Sequence, residues 1–238
     1  MLGRIGTTLL LVLELTSATS FGEPATNYGK AAQSDADEDE EVLEVERQIE
    51  TLLSQDSEQT RKQETRRTLE MVTQQFTILD LPRSMVERNK LQNFYEILQA
   101  SRRVSKGIVF DVFSGAQHGF TAFRVGDHIF VSTALFSLPD LALEGVVAHE
   151  LSHDGRDYKR KVLIEMNNLG PDLKQVLKAR LESRADEGAV RILFDAGRDT
   201  GAVELYLELF KKNGKLTDAE AQMRLAAARG AMRAASSL

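Results

Sequence analysis

Residues 145–155 read GVVAHELSHDG and contain the pattern H-E-x-x-H, with His149, Glu150 and His153 at its defined positions. The apolar residues within this stretch predict a helix that is buried in a core. Residues four apart project from one face of a helix, so both imidazoles can bind the same metal ion. The stretch therefore predicts a metal site on a core helix, and the alternative is a solvated helix face that carries the pattern by chance.

Glu150 follows the first histidine of the pattern directly, so on a helix it points beside the predicted metal and not at it. A carboxylate in this position can take a proton from a zinc-bound water, whose pKa the metal lowers towards about 7. It can then deliver that proton to a leaving amine. The pattern therefore predicts hydrolysis of peptide bonds with Glu150 as the general base.

A catalytic zinc ion takes three protein ligands and keeps a fourth position for water. Residues 181–188 read LESRADEG within a predicted helix that begins at Pro171. Glu182 and Asp186 share one face of this helix, so we expect Glu182 to bind the metal and Asp186 to accept the free N–H of a zinc-bound histidine. The alternative is a pair of solvated carboxylates balanced by neighbouring arginines.

The predicted cofactor is thus one Zn²⁺ per chain. The chain has no cysteine, which excludes disulfides, thiolate ligands and a cysteine nucleophile. The other two histidines, His118 and His128, fall in or beside a predicted sheet, and the ligand set is complete without them. The basic segment 156–161 is expected to be a solvated helix end.

The spacing of apolar residues predicts an α+β protein of mainly helical content. Between residues 106 and 132, alternation of apolar and polar residues predicts a small antiparallel sheet beside the H-E-x-x-H helix. We expect residues 106–238 to form the catalytic core. Prolines and glycines mark the predicted helices of this core, at about 140–154, 171–196, 200–213 and 217–235.

Upstream of this core, helical spacing predicts an N-terminal helical layer over residues 42–105, made of two or three amphipathic helices with a break at Leu81-Pro82. Their expected core-facing stripes are Val42, Val45, Ile49 and Leu52, then Leu69, Val72 and Phe76, then Val86, Phe94, Ile97 and Leu98.

The first 41 residues carry two further features. Arg4, the apolar stretch 7–13 and the small residues 18–20 predict a signal peptide over residues 1–20, and hence a periplasmic or secreted protein. Residues 21–41 end in the acidic run DADEDEE and predict a flexible linker.

Net charge and hydropathy limit the classes of partner that we expect for this protein. The formal net charge is −6, and the lysines and arginines are scattered, so no basic face is available for nucleic acid. No run of 18 consecutive apolar residues occurs, so we expect at most peripheral association with a membrane. Polypeptides are the expected substrates, and the sequence does not indicate an oligomeric state.

Residues 108–225 resemble the HtpX-like and CAAX prenyl protease-like zinc metallopeptidases, in particular their soluble periplasmic members. In that family a strand and turn lead into the H-E-x-x-H helix, and the third ligand lies in E-x-x-A-D on a later helix. The corresponding residues here are 122–136, 149–153 and 182–186. The resemblance implies a zincin-like domain of the gluzincin type, with damaged or misassembled envelope proteins as substrates.

The chain departs from this family at two places. Members commonly have Asn-Ala where Thr121-Ala122 stands, in the edge strand expected to hold an extended substrate by backbone pairing. They also carry His-Pro six residues ahead of an arginine, where this chain has Asp218-Ala219 ahead of Arg224. The resemblance gives Arg224 a catalytic role near the developing oxyanion. The predicted substrate-binding residues are Gly119, Phe120, Thr121, Ala122 and Phe123.

The missing histidine leaves a second function open, namely a zinc-binding chaperone-like protein or a latent pseudo-peptidase with weak hydrolysis. A structural protein that binds metal without proteolysis is a third possibility.

Overall fold

The computed structural model describes residues 35–115 and 118–237, in which eight α-helices and three strands occur. The predicted signal peptide and residues 21–34 of the predicted linker lie outside the described residues. The helices are α1 (Asp35–Ser54), α2 (Glu58–Gln75), α3 (Leu81–Leu98), α4 (Asp140–Ser152), α5 (Asp157–Met166), α6 (Pro171–Asp195), α7 (Gly201–Lys212) and α8 (Asp218–Ala235). The strands are β1 (Val109–Phe113), β2 (Ala122–Val125) and β3 (His128–Ser132), and a 3₁₀ turn covers Thr133–Ser137.

Local sequence signals explain where several helices begin. Ser57, Asp80 and Thr217 each precede a helix and accept a hydrogen bond from the backbone N–H three residues later. Such side-chain caps contribute about 1 kcal/mol each to helix stability. Pro171 opens α6 at the first position, where its missing N–H costs nothing. The four helices predicted for the C-terminal core are all present, with ends within two residues of the predicted ones.

Residues 35–41 of the predicted linker form the first turns of α1. The helix then continues into Val42, Val45 and Ile49, which are buried against α5 and α6 and tie this segment to the protein.

The three N-terminal helices pack on different parts of the molecule and do not form one layer. Helix α1 packs on α5 and α6, α2 packs on β2, and α3 packs on β1 and α4. Three residues predicted to face the core, Leu52, Val86 and Ile97, are exposed. In α1 the buried position belongs to Leu53, because successive helix residues turn by about 100° and only one of two adjacent leucines can face the core.

The sheet is mixed, so the prediction of an antiparallel sheet is wrong for one of its two pairings. Its strand order is β1-β3-β2, with β2 antiparallel and β1 parallel to the central β3. A tight turn that contains Gly126 at φ 59° makes β2 and β3 a hairpin. The chain between β1 and β2 does not place these two strands side by side. β2 pairs with one edge of β3, and β1 pairs with the other edge.

Helix α4 occupies the centre of the main core. Every residue from Ala142 to Leu151 is buried, and the helix contacts α3, α6, α7 and the sheet. Gly145 allows this packing, because a Cβ atom there would lie 2.5 Å from the Ala202 carbonyl oxygen of α7. The prediction that H-E-x-x-H begins on a buried core helix is therefore confirmed.

Within residues 35–115 and 118–237, no helix combines the length and apolar character needed to cross a bilayer.

Candidate metal centre

Two helices bring the predicted ligands together. His149 lies in the last turn of α4, and Glu182 lies in the middle of α6. His153 is not helical as predicted but is the C-cap of α4, with φ −59° and ψ 135°. The buried guanidinium of Arg124 in β2 donates to the carbonyl oxygens of Leu151 and His153, which satisfies the open end of the helix.

The ligand atoms of the three side chains converge. His149 Nε2 lies 3.1 Å from His153 Nε2 and 3.2 Å from Glu182 Oε2, and His153 Nε2 lies 3.9 Å from the same oxygen. A tetrahedral ion with bonds of about 2.0–2.1 Å would hold its ligand atoms about 3.3 Å apart. His149, His153 and Glu182 therefore form a group that could bind a metal ion.

Carboxylates fix the outward-facing nitrogen of each histidine. His149 Nδ1 lies 2.8 Å from Asp186 Oδ1, as predicted for Asp186. His153 Nδ1 lies 2.8 Å from Asp157 Oδ2, a contact that was not predicted. A proton on each Nδ1 donates to its carboxylate, so both Nε2 lone pairs face the shared centre. Sequence spacing offered a signal for this second partner, since Asp157 stands four residues after His153.

Asp186 is itself held by α7 and α8. Arg224 Nε donates to Asp186 Oδ2 over 2.7 Å, and Nη2 donates to Oδ1 over 3.1 Å. The Tyr206 hydroxyl donates to Asp186 Oδ1 and lies 2.9 Å from His149 Nδ1. Tyr206 is buried on the apolar side of α7 and was missed, since nothing in its local sequence separates it from a core tyrosine.

The predicted role of Arg224 near a developing oxyanion stays a prediction. Its nearest partner is Asp186, and its Nη1 atom lies 3.8 Å from Glu182 Oε2. Burial alone would lower the pKa of Arg224, but Asp186 and the Tyr206 oxygen outweigh it and hold that pKa well above its usual range. The guanidinium is thus permanently charged beside the predicted ligand. Asp218, which stands in place of the family histidine, is exposed and pairs with Lys211.

Lys161 overturns the expectation that segment 156–161 is a solvated helix end. The segment begins a separate helix, α5, and the Lys161 ammonium lies 2.7 Å from Glu182 Oε1. Burial alone would lower the pKa of Lys161, but the Glu182 carboxylate outweighs it and raises that pKa. Only the packing of α5 on α6 makes this contact, so sequence spacing could not reveal it.

The field of these carboxylates favours a cation at the centre. Burial opposes the charge on His149, but Asp186 and Glu182 outweigh it and raise the pKa of His149 to about 9. Burial would likewise raise the pKa of Glu182, yet the Lys161 ammonium and His149 hold it well below its usual range. The ligand atoms of the group therefore sit where positive charge is stabilised.

Glu150 follows His149 directly and lies beside this group. In the described part of the chain, its side chain makes no hydrogen bond to His149, His153 or Glu182. Its side chain is buried, with 5% of the residue exposed. Among the described residues, its Oε2 atom has no hydrogen-bond partner. A buried carboxylate oxygen without a partner is costly, so its position suits a group that interacts with a ligand of the site. Together with the donor set of two imidazoles and one carboxylate, this oxygen fits a metal ion that carries water.

The predicted substrate strand is partly strand and partly loop. β2 begins at Ala122 and is the outer strand of the sheet, so in the described part of the chain one of its edges has no partner strand. Gly119, Phe120 and Thr121 lie in the preceding loop, and Thr121 O accepts a hydrogen bond from Ser132 N. Phe123 faces the aromatic cluster under the sheet. Substrate binding by these residues stays a prediction.

His118 and His128 lie elsewhere. His118 packs against the rings of Phe76 and Phe113, while His128 Nδ1 lies 2.8 Å from Asp111 Oδ2. Within the described ranges neither belongs to the group of potential metal ligands.

A cavity of about 920 Å³ lies between α1, α5 and α6, away from the metal-binding group. Its lining includes Leu43, Arg160 and Leu177, and none of the three predicted metal ligands contributes to it. This cavity and the metal-binding group are therefore separate features of the protein.

No protein family model matches the chain, and no curated protein matches it. The resemblance to the HtpX-like peptidases stays a prediction that depends on the motifs quoted above.

Proposed function

We propose that this protein is a zinc-dependent metalloendopeptidase with a zincin-like catalytic domain. One Zn²⁺ is held by His149, His153 and Glu182, and Glu150 is the general base. The observation that carries the proposal is the convergence of three ligand atoms, with a buried and unpaired carboxylate oxygen of Glu150 beside them.

The donor set supports zinc among the divalent metals. Two neutral imidazoles and one carboxylate are the protein ligands of several catalytic zinc sites, whereas Mg²⁺ and Ca²⁺ prefer oxygen ligands alone. Such an ion supplies a water of lowered pKa and polarises a substrate carbonyl. The two Nδ1 contacts to Asp186 and Asp157 keep both imidazoles in the tautomer and orientation that this binding needs.

Proton transfer falls to Glu150. Its Oε2 atom carries no competing hydrogen bond within the described residues, so it is available to accept a proton from the attacking water. The same oxygen then returns the proton to the amine as the peptide bond breaks. The outer edge of β2 would hold the substrate extended by backbone pairing, which favours polypeptides of varied sequence.

A comparison of Glu150→Gln with wild type tests the proposal. Glutamine keeps the shape of the side chain and removes the proton acceptor. We expect Glu150→Gln to bind about one zinc per chain, as the wild type does, and to lose casein cleavage by on the order of 10²-fold or more. Glu204→Gln is the control, because Glu204 pairs with Arg229 on the surface and should retain activity.

Two results would contradict the proposal. One is wild-type protein that binds no zinc under conditions in which it is folded. The other is a Glu150→Gln turnover within a few-fold of wild type at equal zinc content.

The second candidate is a zinc-binding chaperone-like protein or latent peptidase with weak hydrolysis. Two observations favour it: Asp218 is exposed and paired with Lys211, and the Arg224 guanidinium is engaged by Asp186. A carboxylate at position 218 cannot stabilise an oxyanion, and the guanidinium of Arg224 is already engaged. Such stabilisation contributes about 10²–10³-fold to turnover in other enzymes. Wild-type protein that carries zinc but does not cleave casein, with or without chelator, would select this candidate.

The location and substrates are part of the same proposal. The features of residues 1–20 support export to the periplasm or the exterior, where damaged envelope proteins would be the substrates. N-terminal sequencing of protein from its native host would contradict export if Met1 were intact on cytoplasmic protein.

A further inference from the structure

The two oxygens of Glu182 have different partners. Oε2 faces the imidazoles, at 3.2 Å from His149 Nε2 and 3.9 Å from His153 Nε2. Oε1 faces the other way and lies 2.7 Å from Lys161 Nζ. A carboxylate can bind a metal through one oxygen or both, so the partner of the second oxygen decides the number of bonds to the ion.

Partial burial and a short hydrogen bond both stabilise the contact between Lys161 and Glu182 Oε1. About a fifth of the Lys161 side chain is exposed, and 18% of Glu182 is exposed, so solvent screens the pair only weakly. A charge-assisted hydrogen bond of this length is roughly twice as strong as a neutral one.

We propose that Lys161 is a positioning residue that restricts Glu182 to one bond with the metal ion. By holding Oε1, the ammonium keeps this oxygen from becoming a fifth ligand beside the two imidazoles, Oε2 and water. The inference rests on the metal site of the proposed function, because a catalytic zinc site has three protein ligands and one position for water.

A second lysine and glutamate pair separates the effect of Lys161 on Glu182 from cohesion between the helices. The same two helices, α5 and α6, are also joined by Glu165, whose Oε1 lies 2.8 Å from Lys178 Nζ and whose backbone oxygen accepts from Lys174. The Lys178 and Glu165 pair has the same chemistry as the Lys161 and Glu182 pair. It contains none of the three predicted metal ligands, which makes Lys178→Met a matched control.

Cobalt replaces zinc in the test because its visible absorption reports coordination number. Four-coordinate Co²⁺ absorbs several times more strongly than five-coordinate Co²⁺, and neither signal depends on peptide cleavage. Metal-free wild type, Lys161→Met, Lys161→Arg and Lys178→Met are each titrated with Co²⁺.

We expect four-coordinate spectra for wild type, for Lys161→Arg, which retains a donor for Oε1, and for Lys178→Met. Lys161→Met should give the weaker five-coordinate spectrum, because Oε1 is released to the metal. It should also bind Co²⁺ at least as tightly as wild type, since a neighbouring cation no longer repels the ion. Lys161→Leu provides the same comparison if Lys161→Met does not fold.

A four-coordinate spectrum in Lys161→Met, or a loss of Co²⁺ affinity of tenfold or more, would overturn the inference. Either result with normal Co²⁺ binding by wild type leaves the proposed function intact. Wild-type protein that binds no Co²⁺ would instead overturn the metal site, and with it both proposals. Wild-type protein that shows the expected spectra but cleaves nothing would contradict only the peptidase activity.

Discussion

Replacement of Gly145 by alanine tests the packing of α4, the helix that carries His149, against α7. A Cβ atom at this position would lie 2.5 Å from Ala202 O, 2.7 Å from Ala202 C and 3.0 Å from Tyr206 Cδ1. The first two atoms belong to the backbone of α7 and cannot rotate away. Ordinary van der Waals contact at about 3.5 Å therefore requires α4 and α7 to separate by up to about 1 Å.

The expected cost follows from two opposing effects. Overpacking of a well-packed core costs about 1–3 kcal/mol. Alanine is more favourable than glycine within a helix by about 0.5–1 kcal/mol, which offsets part of this cost. The midpoints of the two ranges give a net loss of about 1 kcal/mol, which corresponds to a fall in Tm of about 2–4 °C for a domain of this size. Because α7 also carries Tyr206, the contact between this hydroxyl and His149 should weaken.

Gly230→Ala is the matched control. Gly230 lies inside α8, and a Cβ atom there would meet nothing within 4 Å. We expect this variant to keep or raise the Tm, because only the helix preference of alanine changes. Thermal unfolding of both variants and wild type, followed by circular dichroism with a chelator present, measures the effect without metal binding. A Gly145→Ala variant with a Tm equal to or above that of wild type would refute the packing argument.

Three further predictions concern the group formed by His149, His153 and Glu182 and the residues that contact it. Tyr206→Phe removes a hydroxyl that contacts Asp186 and His149, so zinc affinity measured against a chromogenic chelator should fall by about 10–100-fold. Tyr158→Phe is the control and should not change the affinity, because the Tyr158 hydroxyl lies 3.5 Å from Thr65 Oγ1. Removal of metal by a chelator should lower the Tm, and free zinc at 100 times its Kd should restore about 2.7 kcal/mol; an unchanged Tm would argue against a specific site. The pKa of His149 is raised to about 9, so protons compete with the metal for this side chain. The apparent zinc affinity should therefore increase from pH 6 towards pH 9. Metal titrations that give the same affinity across this range would contradict the prediction.

Part of the site could be predicted from helix periodicity within single segments of the sequence. The four-residue spacing of Glu182 and Asp186 puts both carboxylates on one face of α6, as predicted, and both contact His149. The H-E-x-x-H stretch was predicted as a buried helix from its own apolar residues, and α4 is buried along nearly its whole length. These predictions succeeded because helix periodicity and side-chain polarity are properties of the segment itself.

Other predictions were wrong where a helix can bury either of two faces or a strand can pair in either direction. Adjacent Leu52 and Leu53 offer α1 two nearly equal apolar faces, and contact with α5 and α6 selects the one that buries Leu53. Alternating apolar residues identified β1 and β3 as strands, yet alternation has the same period in parallel and antiparallel pairs. The parallel pairing of β1 with β3 therefore depends on the path of the intervening chain.

The sequence by itself indicated the predicted ligands, four of the five helices described between residues 140 and 235, and the buried character of α4. Tertiary structure alone decided which other side chains surround those ligands. Tyr206 reaches His149 across 57 residues of sequence, and Lys161 reaches Glu182 only because α5 folds back onto α6. The physical reason is that hydrogen bonding and periodicity within a helix are local. Contacts between helices depend on how all buried surfaces of the chain fit together, and no single segment encodes that fit.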